Sequence, residues 1–114
     1  MNPNELIDKL NMCVAALTKG NIQLKTLGLK KAESERVYRV ALAKKIFNLK
    51  MDKVQVSLIR DLSRGDEEIS RLRLERDIAD NDYYVCKSSM ENLKVEIEVL
   101  RSKLAWLKLE FKNY

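Results

Sequence analysis

From Leu6 onward, apolar or small residues recur every three or four positions through Leu10, Cys13, Leu17, Gly20, Leu24 and Leu27. That spacing is one face of an α-helix. The same steps then meet Lys31 and Ser34, and apolar residues resume on a shifted phase at Tyr38, Leu42, Ile46 and Leu49. A phase shift of this kind locally unwinds a coiled-coil seam. Pro3 suits a first helical turn, where its missing N–H costs nothing, and Asn2 can cap it. One helix over about 4–50 is predicted. Gly20 and Gly28 each cost about 1 kcal/mol relative to alanine in a helix interior, so a kink between them is the rival arrangement.

Residues 51–65 break the pattern. Ser57 can cap a short helical turn bearing Leu58, Ile59 and Leu62, which are expected to close the end of the fold. Gly65 is expected to stop that turn with a positive φ. Asp66 then caps the next helix, with Glu67 and Glu68 favourably placed at its N-terminal dipole.

The last segment is the most regular. Ile69, Leu72, Arg76, Ala79, Tyr83, Cys86, Met90, Leu93, Ile97, Leu100, Leu104, Leu107 and Phe111 alternate in steps of three and four, with Arg76 the single polar interruption. This predicts a coiled-coil-type helix over about 66–112, roughly 70 Å long at 1.5 Å per residue. A second series lies about 200° round the same helix: Leu74, Ile78, Asn81, Val85, Ser88, Asn92, Val95, Val99, Ser102, Trp106 and Leu109. A helix apolar on two opposite sides cannot satisfy both with one partner helix.

The expected fold is therefore all-α, a single helical domain over 1–114. It is a long antiparallel, coiled-coil-like helical hairpin packing into a dimer or a helical bundle. With a turn centred near residue 58, residue i should lie beside residue 116−i. Cys13 would then sit near residue 103, roughly 26 Å along the axis from Cys86, which excludes a disulfide.

Charge changes the picture modestly. The net charge is +5, with ten Lys/Arg against four Asp/Glu in residues 1–50 and nine against eleven in residues 66–114. Opposite tendencies suit two helices packed side by side. The basic first helix also offers Lys25, Lys30, Lys31, Arg36, Arg39, Lys44 and Lys45 as phosphate contacts, though without the interleaved aromatics or recognition motif of a nucleic-acid binder.

The chemistry of catalysis is thin. There is no histidine, and two cysteines are too few and too separated for a structural zinc site. Asp77, Asp80 and Asp82 lack the glycine and glutamate of an EF-hand loop, and as helical residues they fan round the axis. Gly28-Leu29-Lys30-Lys31 is no phosphate cradle, and in Arg64-Gly65-Asp66 the last two residues already have capping roles. No catalytic residue, cofactor or metal is expected. The N-terminus carries no basic stretch, and the longest apolar run near it, Met12 to Leu17, is far short of the roughly 20 residues of a membrane span, so a soluble, cytoplasmic location is expected.

Three stretches carry a resemblance: Tyr38-Arg39-Val40-Ala41-Leu42-Ala43-Lys44, Leu58-Ile59-Arg60-Asp61-Leu62-Ser63-Arg64-Gly65-Asp66 and Leu72-Arg73-Leu74-Glu75-Arg76-Asp77-Ile78-Ala79. They resemble small, mostly uncharacterised helical proteins encoded by temperate phages and prophages of Gram-positive bacteria. The resemblance spans residues 33–84 and is most specific in the connection. It implies a bacterial host cytoplasm and partners among host or phage machinery, defence systems included. It brings no catalytic residues.

Three functions are compatible. The first is a non-enzymatic module that binds a host or phage protein through Leu74, Ile78, Val85, Val95, Val99, Trp106 and Leu109, the same residues serving a homodimer. The second is a nucleic-acid accessory protein using the basic first helix. The third is a structural or scaffold oligomer.

Overall fold

The computed structural model describes residues 2–112, the side chains of Phe111 and Lys112 excepted, so the last seam position predicted above lies outside the described side chains. The protein is all-α. Helix α1 spans Pro3–Met51, α2 Val56–Gly65 and α3 Glu67–Lys112. Their packing falls into two units, residues 1–25 with 84–114 and residues 26–83.

Helix α1 begins as its sequence dictates. The Asn2 side-chain oxygen accepts the Glu5 N–H at 2.8 Å, the Asn2 amide donates back to the Glu5 carboxylate at 3.3 Å, and Pro3 occupies the first turn. The helix runs uninterrupted through Gly20 and Gly28. It ends in a Schellman arrangement: the Val54 N–H bonds the Leu49 carbonyl and the Lys53 N–H bonds the Lys50 carbonyl, both at 3.1 Å. That geometry requires a left-handed residue, and Lys53 supplies it with φ 59°. A side chain in this region costs about 1–2 kcal/mol that glycine avoids. Lys53→Gly is accordingly expected to raise stability by up to about 1 kcal/mol, read by urea unfolding; a loss of stability would contradict the assignment.

The connection differs from the sequence expectation in three respects. Gln55 precedes α2 without any side-chain cap bond, so Ser57 does not cap. Within α2 only Ile59 and Ser63 are buried, whereas Leu58 and Leu62 are about half exposed. Gly65 has no positive φ. The reason is the path of α2, which lies along the last turns of α1, where Val56, Ile59 and Ser63 share a pocket with Leu42, Ile46 and Lys50. One narrow face of α2 is covered, and Leu58 and Leu62 fall beside it.

The break between α2 and α3 is a single extended residue, Asp66, at φ −59° and ψ 134°. Its carboxylate accepts the Ile69 N–H at 3.1 Å and meets Lys45 Nζ at 3.1 Å, confirming its predicted capping role. The Ile69 N–H and then Lys45 hold the Asp66 carboxyl below the ordinary aspartate range. A depressed folded-state pKa gives stability that is present above about pH 4 and lost as pH falls through the lower folded value. Asp66→Asn keeps a capping oxygen but loses that ionisation, so its Tm should fall less between pH 7 and pH 3 than the parent's. An unchanged acid sensitivity would count against this role.

The tight turn also moves the register. In the first unit Lys9 faces Glu96 at 3.7 Å and Gly20 lies against Met90. In the second, Lys31 faces Asp80 and Lys45 faces Asp66. In the second unit the pairing is thus centred near residue 55 instead of 58. Cys13 lies beside Glu96, and burial followed by that carboxylate pushes its thiol pKa up. Both cysteines are free, about 16 Å apart along the axis at 1.5 Å per residue.

Each unit has its own core. Leu6, Cys13 and Leu100 are buried in the first, flanked by Leu10, Leu93, Ile97, Leu104 and Leu107. Tyr38, Ile69 and Leu72 are buried in the second, with Val37, Ala41 and Leu42 packed against them.

Candidate functional site

The two charged interruptions of the seams, Arg76 and Lys31, are explained by their neighbours, both within the second unit. The Arg76 guanidinium lies 4.4 Å from the centre of the Tyr38 ring and meets Glu35 at 3.6 Å and Asp77 at 2.9 Å. Lys31 meets Asp80 at 3.4 Å, with its ammonium 5.7 Å from the centre of the Tyr83 ring. In each case the cation is held by an aromatic face and a carboxylate, which allows a charge inside an otherwise apolar seam. These groups are structural, and they account for two of the carboxylates of the Asp77, Asp80, Asp82 group. No set of residues among those described could hold a metal ion.

The seven apolar residues of the second α3 series all project outward. Leu74 and Ile78 are exposed in the second unit, and Val85, Val95, Val99, Trp106 and Leu109 in the first, at 47–69% of their full surface. In the first unit the series is shaped as well as exposed. Lys94, Val95, Glu98, Val99, Ser102, Lys103 and Trp106 line an open groove of about 500 Å³. Trp106 also borders a second depression with Leu6, Lys103, Leu107 and Glu110. Trp106 is 69% exposed. A tryptophan left at the lip of an apolar groove has the form of an interface anchor.

The basic residues of α1 are not gathered. At 100° per residue, Lys30 and Lys31 diverge and Lys31 and Lys45 turn toward α3, so the seven fan round the helix. Four are already paired: Lys31 with Asp80, Arg36 with Glu33 at 2.6 Å, Arg39 with Glu35 at 2.6 Å, and Lys45 with Asp66. Two hydrogen bonds from Arg36 hold the Glu33 carboxyl below its usual range. Lys25, Lys30 and Lys44 make no ion pair among the described residues.

Two features escaped the sequence reading. Lys50, Arg60 and Arg64 converge on the apolar pocket formed by Leu42, Ile46, Val56 and Ile59, a basic rim over a hydrocarbon floor. None of the three has an ionic partner among the described residues. Lys50 belongs to α1 and the two arginines to α2, and only the turn at 52–55 brings them together. The second feature is the outward exposure of Val40, Phe47 and Met51 on α1, with Phe47 beside a small depression lined by Ala43, Lys44 and Asn48. Their spacing of seven and four residues was a usable signal.

No protein family, curated protein or solved structure matches the chain. Among the described residues, no helix is long and apolar enough to cross a membrane.

Proposed function

We propose that this chain is a non-enzymatic protein-interaction module, a phage-encoded protein of the bacterial host cytoplasm that binds a host or phage protein as an adaptor or inhibitor. One observation carries the reading: the outer series of α3 is exposed at all seven of its large apolar positions, and a groove forms beside Trp106. An exposed apolar groove with a tryptophan at its edge, as in the first unit, is uncommon on a monomer without a partner. The test is affinity capture from phage-infected bacterial lysate with the parent chain and Trp106→Glu side by side. The expected result is a protein retained in stoichiometric amount by the parent and lost with the variant. Capture that is indifferent to Trp106→Glu, or no capture, overturns the assignment of the stripe to a host or phage protein.

A second reading, an accessory protein on nucleic acid, is favoured by Lys50, Arg60 and Arg64 around the α1–α2 pocket, which have no ionic partner among the described residues, more than by the other basic residues of α1. Binding that neutralises six or more phosphates would lose roughly 10³-fold between 50 and 200 mM salt. With the cations of α1 fanned and mostly paired, no submicromolar affinity for generic duplex DNA is expected at moderate salt. Fluorescence anisotropy is the measurement, and tight, steeply salt-dependent binding lost on Arg60→Glu and Arg64→Glu would favour this second reading. The third, a purely structural oligomer, is separated by the same capture experiment, since it requires only copies of itself.

A further inference from the structure

We infer that the groove in the first unit is occupied by a second copy of this chain, its α3 lying antiparallel with the two-fold axis passing near residue 100. This deepens the reading of the α3 stripe as an interface and rests on it.

The two central layers of the stripe are self-matching about that point. Under such an axis Val95 meets Trp106 of the other copy and Val99 meets Ser102, so the ring of each Trp106 fills the groove of its partner against a small aliphatic side chain. Apolar and small residues are placed where a two-fold interface needs them.

The charges along the edges make the choice of direction. A two-fold axis lying across the stripe returns each edge to itself, so residues of one edge face the same edge of the other copy. On the edge following the stripe residues, Glu96 faces Lys103. The two groups are of opposite sign, and their midpoint nearly coincides with that of the apolar pairs. Lys103 lines the groove and has no ionic partner among the described residues. Glu96 lies beside Cys13 and makes a long ion pair with Lys9 at 3.7 Å, its side chain still 44% exposed, and Glu98 is paired with Arg101 of its own helix at 3.5 Å. Each is exposed enough to turn to a partner. A parallel pairing would instead set Glu98 against Lys103 but Glu91 against Glu96, one attraction and one repulsion per side. Complementary edge charges therefore select the antiparallel dimer.

The test is sedimentation equilibrium of the full chain, with Glu96→Lys, Lys103→Glu and the double variant. The parent is expected to dimerise at about 100 µM or below, the range in which a Kd of ~10 µM is readily measured. Glu96→Lys should weaken the dimer by about tenfold, Lys103→Glu likewise, and the double variant should recover most of the loss. The sign of Glu96→Lys is decisive, because in a parallel dimer it would relieve repulsion from Glu91 and tighten association. Tightening, or indifference, overturns the antiparallel register. A chain that stays at 13.3 kDa throughout overturns the dimer itself; if Trp106→Glu still abolishes capture of another protein by that monomer, the interface reading of the stripe survives without it.

Discussion

Truncating Leu100 to alanine is expected to cost about 2–5 kcal/mol, enough to lower Tm on the order of 10 °C. Leu100 is 3% exposed and packs with Leu6 and Cys13, inside a ring of half-buried leucines and isoleucine from both arms. The loss combines the transfer energy of the removed methyl groups with that of the cavity left behind. A two-helix core can relax inward more easily than a layered one, which favours the lower part of the range. Val99→Ala, one residue away on the outer face, is the control. With Val99 already 47% exposed in the chain alone, its truncation should cost less than about 1 kcal/mol. Urea unfolding of both variants, at concentrations below any self-association, checks the contrast. Equal losses would mean that the seam and the outer stripe had been assigned to the wrong sides of α3.

That contrast was legible in the sequence because helical periodicity separates two faces without knowledge of what covers them. Leu6, Leu10, Cys13 and Leu17 on α1, and Leu93, Ile97, Leu100 and Leu104 on α3, are all buried or half-buried as their spacing required. Even the phase shift at Lys31 and Ser34 has a physical counterpart, since Lys31 sits in the seam against Asp80 and Tyr83. The connection was not legible in the same way. Burial of Leu58 or Leu62 depends on the line that α2 takes along α1, and that line is set by a left-handed turn at Lys53. Glycine would have announced the turn, whereas lysine does not. The pairing centre of the second unit is therefore displaced by about three residues, while the helices run antiparallel within each unit. The candidate site divides along the same line. The outward position of Val95, Val99 and Trp106 follows from spacing, but the groove beside them and the convergence of Lys50, Arg60 and Arg64 are products of tertiary placement.

The close approach of the two arms at Gly20 gives the second large effect. A Cβ built on Gly20 would lie 3.1 Å from Met90 Cγ and 3.5 Å from its Sδ, so the helices here are spaced for a residue without a side chain. Gly20→Ala gains about 1 kcal/mol of helix propensity and loses part of it in displacing the flexible Met90 chain, leaving little net change. Gly20→Leu has no such escape. Its added carbons must enter a contact where Met90 is itself buried, and overpacking of this kind costs about 1–3 kcal/mol. Gly28 provides the comparison, because its Cβ would meet Tyr83 Cε2 at 3.4 Å, an ordinary contact. Gly28→Ala should therefore stabilise the protein by up to about 1 kcal/mol. The decisive measurement is a double-mutant cycle. Met90→Ala removes the side chain that Gly20→Leu would strike, so the double variant should be more stable than the sum of the single losses, with a coupling of about 0.5–3 kcal/mol. Simple additivity would show that the side chain introduced by Gly20→Leu does not compete with Met90 for the same space, and that glycine at this position answers to some other constraint.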